Sequence, residues 1–283
     1  MTPCSLLRSA AQEFRSAGIP DPETDSALLL ASLCGCSPLS LRLDTETDLL
    51  PPVLDAFSFL AKRRLSREPL QYILQEAPFC GRMFFVDPRV LIPRPETELL
   101  CRWALTLPLS GSASVLDLCC GSGCIGLTMA LEKPDLCVTL SDLSQDALDV
   151  TAINAERFGI SPHLLKSDLT AGMKASSFHL IVSNPPYIPS DDCTLLQPEV
   201  LQEPVMSLDG GFDGLDFYRR IIDDAPRVLQ ENGMLLMELG YGEAAAVAGL
   251  LERHGFSNIE IRKDYCGIER MILASVSSRR LHD

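Results

Sequence analysis

Basic residues are scarce in this chain. Its 24 Lys and Arg stand against 38 Asp and Glu, a formal net charge of −14. A surface that grips nucleic-acid phosphates is normally basic, so this balance weighs against a nucleic-acid enzyme and suits a basic partner. Long apolar runs are missing too. The longest, Ala27 to Cys36, is too short to span a bilayer. The start, Met1-Thr2-Pro3-Cys4, has no basic region ahead of a long apolar one, which predicts no secretory signal and no membrane partner. Histidine numbers only four, none beside a nucleophile or a ligand set. The 11 cysteines lack the two close pairs of a zinc site, and Cys101, Cys119, Cys124 and Cys137 sit inside apparent strands and helices as small hydrophobes. Reduced thiols, no metal and a cytoplasmic location are therefore expected. What is present is 283 residues with 46% hydrophobic content, enough for one large or two smaller globular domains.

The most informative stretch runs from Phe178 to Pro189. Phe178-His179-Leu180-Ile181-Val182-Ser183 reads as a strand buried on both faces. Pro185 and Pro186 cannot continue it, because they lack N–H donors and lock φ. The chain must leave the sheet after Asn184, at the carboxyl end of the strand, where open parallel sheets bind ligands. Asn184 offers a side-chain carbonyl, and the Asn184–Pro185 peptide a second acceptor beside it. Two acceptors held side by side suit a planar –NH₂ group, and Tyr187 has a ring to lay against the plane that carries it. A rigid turn after a buried strand is the plainer reading of the same residues.

A second motif sharpens the choice. Ser114-Val115-Leu116-Asp117-Leu118 is an apolar strand, Cys119-Cys120-Gly121-Ser122-Gly123 a turn of small residues, and Cys124 onward a helix start. Small residues let a ligand approach the backbone, and the helix N-terminus presents N–H groups to a carboxylate. The next strand, Leu136 to Asp142, ends in an acid placed to accept two ribose hydroxyls.

Around these motifs the chain reads in three parts. Residues 1–78 are helical, with Leu6-Leu7, Ala10-Ala11 and Phe14 at helical spacing, a body from Ala27 to Leu33, and a third helix from Pro51 to Arg64. Lys62-Arg63-Arg64 reads as a helix C-terminal turn that complements the dipole, with contact to a partner as the alternative. This part carries no catalytic constellation, so its functional reading is substrate docking. Residues 79–92 alternate like a hairpin linker. Residues 93–283 alternate strand and helix, the mark of a doubly wound α/β sheet, with later strands near His163, Met234, Phe256 and Glu269. The insert from Ser190 to Phe217 reads as a lid over the site or as a surface loop.

Asp-x-x-x-Gly-Ser-Gly at Asp117 to Gly123, followed by Asn-Pro-Pro-Tyr at Asn184 to Tyr187, resembles the S-adenosylmethionine-dependent amino-methyltransferases. Within them Gln71-Tyr72-Ile73, Leu91-Ile92-Pro93-Arg94-Pro95-Glu96-Thr97-Glu98 and Gly210-Gly211-Phe212-Asp213-Gly214-Leu215 are similar to the HemK-type release-factor glutamine methyltransferases. The resemblance spans Leu70 to Arg270 closely and the N-terminal part more loosely. It implies a seven-stranded class I (Rossmann-like) methyltransferase domain behind a small all-helical one, S-adenosylmethionine as cofactor, and peptide chain release factors as substrate, acted on by a monomer with no direct nucleic-acid contact. On this reading Asn184, Pro185, Pro186 and Tyr187 form the catalytic clamp. Asp117, Cys119, Cys120, Gly121, Ser122, Gly123, Asp142, Asp168, Leu169 and Asn184 hold the cofactor, with Asp168 accepting from the adenine amino group and Leu169 packed on its ring. Arg94 and Glu96 flank the cofactor pocket, although a helix cap region with a solvated charge pair would explain them as well.

The implied reaction is direct methyl transfer to the N5 of the glutamine in a Gly-Gly-Gln loop. Holding both N–H groups turns the nitrogen lone pair toward the methyl, and no general base is needed because the alkylated nitrogen is acidic enough for water to deprotonate. Four positions depart from the family pattern: Cys119 and Gln75 stand where glycine is usual, Met206 replaces a small residue, and Glu243 often reads Gln. Three other readings remain: a ribosomal-protein glutamine methyltransferase, an adenine N6-methyltransferase, and a binding module with a vestigial site.

Overall fold

The computed structural model describes residues 1–276. The chain forms two compact units: Met1–Glu76 together with Gln197–Gln202, and Ala77–Leu196 together with the chain from Glu203 onward.

The first unit is helical: α1 Pro3–Ser16, α2 Pro22–Cys34, α3 Pro38–Leu43, α4 Pro51–Leu65 and α5 Leu70–Leu74. The first four each begin with proline, whose missing N–H is no loss in a first turn. Thr2 and Ser37 cap α1 and α3 by accepting from the Ser5 and Ser40 N–H groups. Leu7, Ala10 and Phe14 of α1 bury against Leu29 and Leu30 of α2, Phe57 of α4 and Ile73 of α5. Sequence periodicity did not expose α3, whose six residues are too few to show a helical repeat.

Within the basic last turn of α4, Arg64 is buried. Its Nε donates to Asp25 Oδ2 at 2.7 Å and its Nη2 to Glu199 Oε1 at 2.9 Å, while Arg67 holds the same Glu199 through Nε and Nη2. Lys62, Arg63 and Arg64 do form the last turn of α4, as read from sequence, and two of them add ion pairs, Arg64 with Asp25 and Glu199 and Arg63 with Glu68. Burial pushes Glu199 upward, but the hydrogen bonds from Arg67 and Arg64 outweigh it and hold the carboxyl down at about 2.

At the end of α5, Gln75 adopts the left-handed conformation (φ 56°). The glycine usual there in the resembling family would sit without strain. Gln75→Gly should raise stability by about 0.5–1 kcal/mol, seen as an upward shift in thermal midpoint.

The second unit opens with a hairpin, β1 Ala77–Phe79 and β2 Arg82–Phe84, shorter than the linker read from sequence. Then follow α6 Pro95–Thr106, β3 Ser114–Leu118, α7 Cys124–Glu132, β4 Cys137–Asp142, α8 Gln145–Arg157, β5 His163–Lys166, β6 Phe178–Ser183, α9 Asp216–Val228, β7 Leu229–Glu238, α10 Ala244–Arg253, β8 Phe256–Lys263 and β9 Glu269–Val276. The seven strands β3 to β9 form one sheet in the order β5-β4-β3-β6-β7-β9-β8. It is parallel except for β9, which runs antiparallel to both β7 and β8.

Alternation along each strand sends successive side chains to opposite faces. Val115, Val138, Leu180 and Val182 pack on one face with Leu100 and Trp103 of α6, Leu127 of α7 and Leu148 of α8. Leu116, Leu118, Ile181 and Leu235 pack on the other with Ile221 and Ile222 of α9 and Val247 and Leu251 of α10. From β3 the sheet grows to β4 and β5 on one side and to β6 and β7 on the other, so the carboxyl ends of β3 and β6 flank the point where strand order reverses. Ligand crevices open there in doubly wound sheets.

Candidate active site

A cavity of about 380 Å³ lies at that edge. Of the residues singled out from sequence, Cys119, Gly121, Asp142, Asp168, Leu169, Asn184 and Pro186 line it. The others stand elsewhere. Asp117 is fully buried in β3, where its Oδ2 accepts the Gly126 N–H at 2.7 Å and its Oδ1 has no partner. Burial raises its pKa to about 7. Cys120 and Ser122 are buried, and Gly123 caps α7 in the left-handed conformation (φ 78°), where a Cβ would lie 2.8 Å from Thr151 Cγ2. These four shape the turn without facing the cavity.

Two of the backbone donors at the turn and helix start are already engaged. Gly121 N–H goes to Asp142 Oδ2 at 2.9 Å, and Gly126 N–H goes to Asp117, so neither is left for a ligand carboxylate. Asp142 takes a second bond from Ser144 N–H at 2.9 Å through Oδ1. Each oxygen keeps a lone pair, so the carboxylate, which lines the cavity, is still able to accept. Burial pushes its pKa up, and the backbone donors act against that. Asp168 is half exposed and paired with Arg220 at 2.6 Å. Cys119, like Leu169, holds a left-handed backbone (φ 62°), so the turn keeps the conformation that glycine would give and adds a thiol to the wall.

At the end of β6, Ser183 Oγ donates to Leu118 O at 2.7 Å and pins the strand to β3. Asn184 follows, half-buried, with its Nδ2 donating to Thr97 Oγ1 at 3.2 Å. Asn184 lines the cavity, and with Nδ2 engaged its Oδ1 is the end of the amide without a hydrogen bond among the described residues. Pro185 and Pro186 are buried, and Tyr187 directs its hydroxyl to Glu238 Oε1 at 3.3 Å. Thr97 Oγ1 donates to the other oxygen, Glu238 Oε2, at 2.7 Å.

Thr97 and Glu238 were not found from sequence. Thr97 lies between Arg94 and Glu98, in a segment that sequence reading flagged for Arg94 and Glu96. Arg94 instead pairs with the buried Glu203, whose Oε2 also accepts the Ile92 N–H at 3.0 Å, and Glu96 makes no ion pair among the described residues. The signal that would have found Thr97 is helix phase: it shares the buried face of α6 with Leu100, Cys101 and Ala104. For Glu238 it is an acid inside the apolar run Met234 to Leu239, since Glu is almost never fully buried unless paired.

The insert after the clamp is neither a detached lid nor a loose loop. Ile188 N–H donates to Leu208 O at 2.9 Å, Gly210 N–H to Ile188 O at 2.8 Å, and Ser190 N–H to Gly211 O at 2.9 Å, extending the clamp into a short parallel pairing. The approach is tight enough to demand glycine. A Cβ on Gly210 would fall 2.7 Å from Tyr187 Cα, and one on Gly214 would fall 2.5 Å from Tyr187 O. Gly210→Ala must therefore displace the Tyr187 backbone. It is expected to lower kcat by roughly 10-fold or more, as misplacement by a fraction of an ångström does, with a smaller change in thermal midpoint.

Asp142, Asp168 and Asp209 line the cavity together with Arg89, which is paired to Asp87. Asp168 is paired to Arg220, whereas Asp142 and Asp209 carry no ion pair among the described residues, a field that favours a cation over phosphate. No group of His, Cys, Asp and Glu among the described residues could hold a metal ion, and no described helix is long and apolar enough to cross a membrane.

Comparison with known proteins adds names to this geometry. The PrmC N-terminal domain family matches residues 5–74, and the Methyltransferase small domain family matches residues 97–205. A release factor glutamine methyltransferase of Geobacter sulfurreducens is 41% identical over 256 residues, covering 90% of each chain. One from Neisseria gonorrhoeae is 43% identical over 89% of this chain and 93% of its own. Among solved structures, a methyltransferase from Pyrococcus furiosus aligns with a TM-score of 0.54 at 18% identity, covering 70% of this chain and 90% of its own, a likeness of fold. With the Asn-Pro-Pro-Tyr turn at the switch point of a seven-stranded sheet and these relatives across nine-tenths of its length, the chain belongs to the release factor glutamine methyltransferase family.

Proposed function

We propose that this enzyme methylates the side-chain amide nitrogen of the Gly-Gly-Gln glutamine in a peptide chain release factor, in the cytoplasm, with S-adenosylmethionine as donor. The observation that carries the reading is Asn184 at the cavity wall with its NH₂ engaged by Thr97, which turns the carbonyl end toward the substrate side. The cavity suits the donor on its own chemistry. Acids line it, which favours a sulfonium, and Asp142 is fixed by two backbone N–H groups with lone pairs to spare for ribose hydroxyls. Asp168 and Leu169 border the same cavity and would take the adenine, Cys119 and Gly121 the groups beside the turn.

When bound, the donor supplies a methyl on positively charged sulfur, and the new N–C bond forms as the S–C bond breaks, with the nitrogen's proton passing to water. The chain's own residues orient the acceptor. An amide nitrogen is a poor nucleophile because its lone pair is conjugated with the carbonyl. Asn184 Oδ1 and the Asn184 backbone carbonyl each accept one N–H, which fixes the plane of the amide and stabilises positive charge as it develops. The buried prolines hold the two acceptors in register, since neither can donate back.

Labelled donor offered to purified release factor, ribosomal protein and RNA should mark only the release-factor glutamine; label in either other substrate, and none there, would overturn the assignment. Asp142→Ala should weaken donor binding by roughly 1.5–3 kcal/mol for each charged hydrogen bond lost, read by calorimetry. Unchanged affinity would remove Asp142 from the donor site.

A further inference from the structure

The clamp asparagine is held by an unusual neighbour. Glu238, at the end of β7, is 1% exposed and makes no ion pair among the described residues. A carboxyl in such a place costs free energy unless its oxygens are satisfied. Here both are satisfied by residues of the clamp region: Oε2 by the Thr97 hydroxyl and Oε1 by the Tyr187 hydroxyl. Thr97 in turn accepts from Asn184. The chain of bonds runs from Asn184 NH₂ to Thr97 to Glu238.

Its direction matters more than its existence. An ionised carboxyl can only accept, so it takes the single Thr97 proton and leaves Thr97 only lone pairs to offer. Asn184 must then present its NH₂ to Thr97, and its carbonyl oxygen faces the cavity. The side-chain amide is nearly symmetric in shape, so packing alone does not choose between its two ends. Were Glu238 protonated, it could donate to Thr97, Thr97 to Asn184 Oδ1, and the asparagine would turn its NH₂ toward the substrate NH₂, where the two would repel.

We propose that Glu238 and Thr97 are positioning residues for the methyl transfer, whose hydrogen bonds force Asn184 to present its carbonyl oxygen, not its NH₂, to the substrate amide. This rests on the clamp reading of Asn184 and supplies what that reading lacks, the reason the asparagine points the right way. The groups that bear on the Glu238 charge are Glu96 on α6, Tyr187 after β6, and Arg270 on β9, with Tyr218 on α9 and Cys124 on α7 also close by. Burial raises the Glu238 pKa most, Glu96 adds to it, and the hydroxyl donors and Arg270 oppose it, leaving it at about 7. The chain of bonds should therefore lose its enforced direction on the acid side of neutrality.

The test compares Thr97→Val, Thr97→Ser, Glu238→Gln and Asn184→Ala with the wild type, in kcat and KM for release factor from about pH 6 to about 9. Thr97→Val removes the hydroxyl at constant shape and is expected to lower kcat by roughly 10-fold or more with donor affinity unchanged, as loss of a preorganised contact does. Thr97→Ser, which keeps the hydroxyl, should restore most of it. Wild-type kcat should fall below about pH 7, and Glu238→Gln, which cannot titrate and can both donate and accept, should be slow and lack that acid limb. In ligand-free protein labelled with ¹⁵N-asparagine, the Asn184 NH₂ protons should exchange with water more slowly in wild type and Thr97→Ser than in Thr97→Val. A Thr97→Val enzyme at wild-type kcat, or a Ser variant as slow as the Val one, overturns the proposal while an inactive Asn184→Ala leaves the clamp standing. An active Asn184→Ala removes the clamp itself. Should Glu238→Gln fail to fold, the Val and Ser pair decides alone.

Discussion

Asn184→Ala is expected to lower kcat by roughly 10²–10³-fold, the usual cost of one preorganised polar contact to a developing charge. The substitution deletes the side-chain acceptor and leaves Pro185 and Pro186, so the turn survives. In the folded protein Asn184 makes a single long bond, 3.2 Å to Thr97, and Thr97 keeps its stronger one to Glu238. Thermal midpoint and donor affinity should accordingly move little. If Asn184 only starts a turn, the pattern reverses, with stability lost and turnover per folded molecule retained. Single-turnover rates beside calorimetric melting separate the two.

Arg64→Leu carries the largest expected effect on stability. The side chain is 5% exposed, and it alone contacts Asp25, itself buried, among the ion pairs of the helical unit. Removing it strands the buried Asp25 carboxyl near Asp21 and Glu199 and takes one of two arginines from Glu199. Breaking one partner of a buried pair costs about 3–5 kcal/mol. Urea unfolding of the variant should show the loss, and a change below about 1 kcal/mol would mean that Asp25 is protonated or hydrated without cost. The pH dependence has a definite sign. Glu199 is depressed from its ordinary 4.5 to about 2, so its contribution is complete above pH 4.5 and vanishes as pH falls through 2.

The residues that could be read in advance are those whose covalent chemistry acts locally. Pro185 and Pro186 end a strand whatever surrounds them, and the apolar runs from Val115 and from Phe178 declare buried parallel strands. Asp142 was found by its place at a strand end. What sequence concealed depends on partners distant along the chain. Thr97 reaches Glu238 across 141 residues, and Arg64 reaches Glu199 across 135. The phase of α6 separates Thr97 from Glu96 by setting it on the face of Leu100, Cys101 and Ala104, but nothing near Thr97 names Glu238 as its partner. Of the contiguous motif Asp117 to Gly123, Leu118, Cys119 and Gly121 line the cavity while Asp117, Cys120 and Ser122 are buried, a division that contiguity in sequence does not show. Glu243 is a gentler case. It departs from the glutamine common in the family, yet burial raises it to about 7, and its Oε2 accepts the Gly240 N–H at 2.9 Å as an amide oxygen would.

The six residues Gln197–Gln202 belong with the helices, although the chain on either side of them belongs with the sheet. The chain thus passes between the two units at three peptides, 76/77, 196/197 and 202/203. A single proteolytic nick after Glu76 would leave the helices still sewn to the rest through Glu199 and its two arginines. Any chimera that exchanges the N-terminal unit between relatives must carry 197–202 with it, or the graft will bring two arginines without their acid.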